Sequence, residues 1–305
     1  MIYLFASVMV SCTLSFTLKT AQLKGWDREN ITIINYIVAA LVSLGICLAS
    51  GTLSAFREIG GVDFSTLFTP NTPGNSIFFA VVCGVITGAL FLLNLRLMDT
   101  CIEHSGVGLT TLFNKSGFLV TLTASMLIWG ERLSAIRWLG VALTVVALPI
   151  AAGVSLGRGT LTLRRPAPMI GTLVCSGILE INNKVFSSYA SPEHRSILAL
   201  VTFVTALTLC TAVMVKKRIR QGIRWRFRWQ EICAGVMMGA PNTFSGITQI
   251  LALATLPAMV VFPALAAGNL LLTTLASILV FKEPLSKRQV IAVALTSASL
   301  VLVNL

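Results

Sequence analysis

Two ionisable residues stand where the sequence is otherwise apolar. Lys115 lies near the middle of an apolar run at about 107–129, and Glu180 lies in the middle half of another at about 169–189. A charge at the centre of a hydrocarbon layer costs about 2.5–3.5 kcal/mol even on the mild insertion scale. Each must therefore face a protein interior or a wet cavity. Two readings stay open: the pair closes a salt bridge that only fixes packing, or both lie on a polar pathway and contact a substrate or coupling ion. Lys115 suits an anionic or zwitterionic group, and Glu180 a proton or an amine. Thr111, Asn114, Lys115 and Phe118 share one helical face by their spacing, as do Gly177, Glu180 and Asn183 or Lys184. Asn94, Asn242, Gln249 and Asn269 are the other amides deep in apolar runs. A membrane Asn serves as helix–helix glue as readily as a ligand contact. The candidate substrate-binding set is Lys115, Asn114, Glu180, Asn94, Asn183, Gln249 and Asn269. No phosphate-binding glycine loop, nucleophile elbow, HExxH or His/Asp/Glu metal cluster is present, so no enzyme activity, cofactor or metal is expected. Any pumping is secondary, driven by a gradient or by exchange.

The elements that must position these residues follow from composition. Of 305 residues 55% are apolar and 11% charged, with a mean hydropathy of +0.87, against about 25% charged in a soluble domain. Ten apolar runs fall at about 2–18, 31–49, 76–95, 107–129, 135–154, 169–189, 197–215, 232–254, 258–281 and 287 to the end. Such runs match the length needed for a helix to cross about 30 Å of hydrocarbon. The first run has no basic region before it and no convincing cleavage site, so it reads as a retained helix. The net charge of +12 sits in short loops. It therefore suits lipid headgroups and orientation rather than nucleic acid. The basic aromatic stretch KKRIRQGIRWRFRW at 216–229 reads as an interfacial segment meeting anionic headgroups. All five Trp (26, 129, 138, 225 and 229) lie at run ends, as an aromatic belt does. The seven Cys have no metal spacing and read as small core hydrophobes.

One stretch occurs twice. Residues 119–148 align without a gap on residues 271–300, matching Thr121 with Thr273, Ser125 with Ser277, Glu131 with Glu283 and Ser134 with Ser286. The chain thus reads as a duplicated half, with repeats at 1–153 and 154–305. Five runs per half is an odd number, so the second half enters the membrane from the other side and the repeats are inverted. The expected fold is an all-α integral membrane protein of ten transmembrane helices in two inverted five-helix repeats. The positive-inside rule places both termini outside the cytoplasm. Gly84 with Gly88, and Gly235 with Gly239, have the GxxxG spacing that lets helices approach closely. Ser286 with Gln289 fits a capping box, and Ser134 can cap the fifth run. Glu131 and Glu283 read as turn and packing elements, and Pro241 and Pro263 as bends or kinks. Lys115 and Asn114 align with Ala267 and Ala266, so the polar face is unique to the first half.

At the links GERLS (Glu131, Leu133, Ser134) and KEPLS (Glu283, Leu285, Ser286) the chain resembles the drug/metabolite transporter superfamily, in its ten-helix EamA-type form. The stretch from Leu251 to Ser286 is similar to that family's eighth-to-ninth-helix region. The resemblance implies a cavity between helices three, four, eight and nine, with one and six contributing. It also implies termini in the cytoplasm, where the charge count argues the reverse. The expectation is a secondary transporter of a small metabolite working by alternating access, in a multi-pass bacterial inner membrane setting. Its partners are a small-molecule substrate, a proton or counter-substrate, and membrane lipid, without nucleic acid and with no oligomeric state assigned. The alternative is a non-transporting membrane scaffold or regulatory subunit.

Overall fold

A computed structural model describes residues 2–67, 73–151, 166–222, 226–281 and 287–304. The described residues form ten α-helices, with 3-10 turns in the connections and no strand among them. The helices are α1 (Ile2–Leu23), α2 (Arg28–Ala49), α3 (Pro73–Lys115), α4 (Phe118–Trp129) and α5 (Ala135–Ala151). They continue with α6 (Pro166–Tyr189), α7 (Arg195–Gln221), α8 (Trp229–Thr255), α9 (Ala258–Phe281) and α10 (Lys287–Asn304). Four helical stretches are long and apolar enough to cross a membrane: Arg28–Ala49, Pro73–Ile102, Thr110–Trp129 and Pro192–Gln221.

Local chemistry sets the ends. Asp27 opens α2 by accepting the Glu29 N–H at 2.9 Å, and Ser134 opens α5 by accepting the Arg137 N–H at 3.4 Å, the cap expected of it. Gly130, at φ +64°, closes α4, and the next N–H, that of Glu131, reaches back to the Ser125 carbonyl at 3.2 Å. Gly222, at φ +63°, closes α7. Both glycines take the left-handed conformation that side chains resist. The KEPLS link, including Glu283 and Ser286, lies outside the described residues, as does Trp225.

Two expectations need correction. The basic stretch at 216–229 is not wholly a loop, because α7 runs on through Gln221 and carries the first six of those residues. The third run does not end at Arg96 either, since backbone helicity continues to Lys115. The run is nevertheless not one rod. Twenty residues of straight helix span about 30 Å, yet the Asn114 amide donates to Asn94 Oδ1 at 3.1 Å. The chain therefore doubles back between them, so two antiparallel arms stand where two separate runs are expected.

The chain divides into two compact units. The first comprises residues 1–92 and 182–254, and the second 93–181 and 255–305. Each therefore draws on both halves of the sequence. In the first unit, α2 packs along α7. Here the glycine pairs do what their spacing implies. A Cβ on Gly88 would lie 2.6 Å from the Thr202 carbonyl oxygen of α7, and one on Gly239 of α8 would lie 2.5 Å from Val38 Cβ of α2. A core of Phe79, Cys83, Phe186, Ile197 and Leu198 closes the end near the turns. In the second unit α10 packs on α5 and α9, and α4 packs on α9. Gly140 meets Val303, and Ser299 donates to the Gly140 carbonyl at 2.7 Å. Five of the cysteines are buried and Cys12 and Cys233 half-buried, consistent with packing roles.

Candidate functional site

The second unit collects most of the candidate residues around one break in a helix. α3 ends at Lys115, Ser116 and Gly117 form a turn, and α4 begins at Phe118. Gly117 permits the break to sit against α6. A Cβ there would collide with Ser176 Oγ and lie 2.8 Å from the Gly177 nitrogen. Gly177 is equally tight, with Val120 Cβ 2.5 Å from where its own Cβ would stand. Two facing glycines thus bring an interrupted helix onto a continuous one, as small residues do in lipid-exposed packing.

Polar groups converge on this crossing. The Asn114 side chain donates to Asn94 Oδ1, while its backbone carbonyl accepts from Ser176 Oγ at 2.7 Å. Thr121 Oγ1 reaches both the Gly177 carbonyl at 3.1 Å and Glu180 Oε2 at 2.9 Å. Glu180 and Lys115 are both half-buried and feel each other electrostatically. They do not close an ion pair. Lys115 makes no hydrogen bond or ion pair with any described residue, and among the described residues Glu180 is held only by Thr121. The helical face of Thr111, Asn114, Lys115 and Phe118 is interrupted by the turn, so Thr111 is exposed and Phe118 fully buried.

The remaining candidates separate. Asn269 is half-buried on α9 of the second unit. Asn183 and Gln249 belong to the first unit, half-buried on α6 and α8, and donate to no described residue. Their neighbours carry the packing. Asn182 donates to the Cys83 carbonyl at 2.8 Å and Thr87 Oγ1 at 2.7 Å, and Asn242 donates to Asn35 Oδ1 at 3.3 Å. The residues that spacing and charge do not reveal are Thr121 and Ser176. Glu131 proves to be a cap of unusual reach: its carboxylate accepts the Ala258 and Met259 N–H groups at 3.3 and 3.1 Å, at the start of α9. That is a packing element of the kind expected, and it sets an acid at a helix N-terminus.

The first unit holds a second charged cluster that the sequence hides. Arg218 of α7 is buried and meets Asp27 at 2.6 Å, Glu29 at 3.5 Å and Asn30 Oδ1 at 3.2 Å. Lys217 pairs with Glu29 at 2.6 Å. Glu231, one residue outside the apolar run of α8, accepts from the Asp27 N–H, the Asn30 amide and the Arg228 N–H at 3.0, 2.8 and 3.2 Å. Burial pushes the Glu231 carboxyl up, but those hydrogen bonds outweigh burial and hold it below the usual carboxylate value.

The chain defined by this fold is an all-helical protein with apolar helices of membrane-crossing length. No protein-family model matches it. An uncharacterized protein of Haemophilus influenzae (strain ATCC 51907 / DSM 11121 / KW20 / Rd) is 23% identical over 288 residues, spanning 93% of this chain and 91% of that one. A protein solved by crystallography superposes with a TM-score of 0.71 at 15% identity, covering 99% of this chain and 94% of that one. That likeness is one of fold.

Proposed function

We propose that the protein is a secondary transporter of a small metabolite, embedded in a bacterial inner membrane by ten helices in two inverted repeats. Lys115, Glu180, Asn114 and Asn94 line its substrate path, with Thr121 positioning Glu180. The observation that carries this reading is the pair of opposite charges at a helix break that stays open. A pair kept only for packing gains most by closing, because a lone charge in a low-dielectric setting is costly. An unclosed pair keeps both groups for a ligand. Interrupted helices at a buried polar centre are also how membrane transporters present backbone and charge to substrate.

The inverted repeat has its own support. The Gly84/Gly88 face of α3 docks on α7, and the Gly235/Gly239 face of α8 docks on α2. In the repeat register α8 is the second copy of α3, and α7 the second copy of α2. Exchange of partners between copies is what a two-fold relation produces. The resemblance at the GERLS and KEPLS links agrees with an EamA-type transporter.

Counterflow uptake in proteoliposomes tests the function across amino acids, sugars, phosphorylated metabolites and cationic drugs. Wild type should exchange one class, and Lys115→Ala and Glu180→Gln should lose it while eluting as folded monodisperse protein. Normal exchange by both variants would remove the site assignment. Absence of exchange by folded wild type would favour the scaffold reading.

A further inference from the structure

The end of α7 carries cations that the acidic cluster leaves over. Asp27 takes Arg218, Glu29 takes Lys217 and Arg218, and Glu231 is filled by Asn30 and two backbone N–H groups. Lys216 and Arg220 lie on another face, exposed, with no hydrogen bond or ion pair to any described residue. Together with Val213, Lys217 and Gln221 they line an open recess of about 540 Å³. Val213, Lys216, Lys217 and Arg220 follow the spacing of one helical stripe. Val213 is exposed and apolar, and lies toward the apolar run. The cations lie one and two turns further out. Beside them on the same helix Ile219 exposes a bulky apolar side chain, 74% accessible. An apolar wall followed by cations is the order in which an acyl chain and a phosphate occur along a membrane normal.

We propose that this recess binds an anionic phospholipid whose headgroup carries two phosphates. Lys216 and Arg220 are four residues apart, about 5–6 Å between Cβ atoms, and neither has an internal counter-charge. Arg220 can hold one phosphate through its planar fork and Lys216 the other as a compact point charge. Lys217, already shared with Glu29, closes the side of the recess. The assignment rests on the membrane reading of the chain but not on transport, which counterflow in the same preparations scores separately.

The test uses delipidated full-length protein in neutral detergent, with binding measured by native mass spectrometry. Tetraoleoyl cardiolipin, with two phosphates, is compared with dioleoyl phosphatidylglycerol, with one, at equal total charge. Wild type should favour the two-phosphate lipid by about tenfold or more. Lys216→Gln/Arg220→Gln should lose that preference, with its lipid-free melting temperature unchanged because neither side chain makes a hydrogen bond or ion pair to another described residue. Arg57→Gln/Arg195→Gln, which removes the same charge elsewhere, should keep it. Equal binding of the two lipids by wild type, survival of the preference in the recess variant, or its loss in the control variant would each overturn the assignment. Full displacement of cardiolipin by millimolar inorganic phosphate would overturn the lipid as the source of the anion.

Discussion

Thr121 Oγ1 has one proton and two acceptors within reach, the Gly177 carbonyl and Glu180 Oε2. Donated to Glu180, that proton ties the carboxylate of α6 to α4. Thr121→Val removes that tether without changing side-chain shape, and hydrogen bonds to charged groups are worth about 1.5–3 kcal/mol. Exchange should fall by roughly tenfold or more on that scale, with protein yield preserved, as read by initial counterflow rates. At the other cluster, removing one partner of a buried ion pair costs about 3–5 kcal/mol. Arg218→Met should cost less, about 2–3 kcal/mol, because the Asp27 side chain keeps 40% exposure. Thermal unfolding in detergent reads this directly. Glu231 is held low when folded, so its stabilisation is complete above the unfolded value of about 4.3 and is lost as pH falls through the lower folded value. Glu231→Gln should flatten the acid limb of the melting-temperature profile below about pH 4.3. Charges at 115 and 180 are legible in the sequence because each falls well inside a predominantly apolar run. Arg218 is illegible for the opposite reason: its basic neighbours make it look solvated, and its acids lie about 190 residues away. Thr121 and Ser176 read as ordinary helical hydroxyls, which so often bond their own backbone that they carry no signal.

At the scale of elements, the apolar runs find the all-helical character of the chain but misplace some ends. Hydropathy marks where an apolar run stops, while backbone helicity continues through polar residues until a glycine or a turn ends it. α7 passes the last apolar residue and stops at Gly222, and α3 passes Arg96. GxxxG spacing is informative here because its partners are visible: Gly88 meets the Thr202 carbonyl and Thr205 Cβ, and Gly239 meets Val38 Cβ and the Asn35 carbonyl. Gly88→Ala and Gly239→Ala should each destabilise by about 1–3 kcal/mol. Gly117→Ala should be more damaging still, since both Ser176 and the Gly177 backbone stand in the way. Ranking the three melting temperatures checks the order. The break at Ser116–Gly117 is foreshadowed only by the polar pair Asn114 and Lys115, whereas the reversal between Asn94 and Asn114 falls where hydropathy drops between the third and fourth runs.

The whole chain shows two divisions that need not coincide. Sequence repetition divides it near residue 153, whereas compactness divides it into units that each combine early and late segments. Compactness records what packs. Charge asymmetry predicts both termini outside the cytoplasm, with Lys216 and Arg220 inside. A C-terminal alkaline phosphatase fusion should then be active and a green fluorescent fusion dark; the reverse pattern would invert the orientation. Residues Asn183 and Gln249 in one unit, and Lys115 and Glu180 in the other, should respond separately to substitution, with melting temperature little moved at Asn183 and Gln249 because neither donates a hydrogen bond to a described residue. The glycine faces of the first unit also bear on biosynthesis. The face around Gly88 is complete once α3 emerges from the ribosome, but the carbonyl of Thr202 that receives it is more than a hundred residues behind. At a synthesis rate of about 5–20 residues per second, the wait is on the order of ten seconds. For that interval a close-packing surface of the growing chain stands open. Ordered assembly of this protein is therefore a matter of timing, and slowing translation between residues 88 and 205 should lengthen its exposure to insertion factors and membrane proteases.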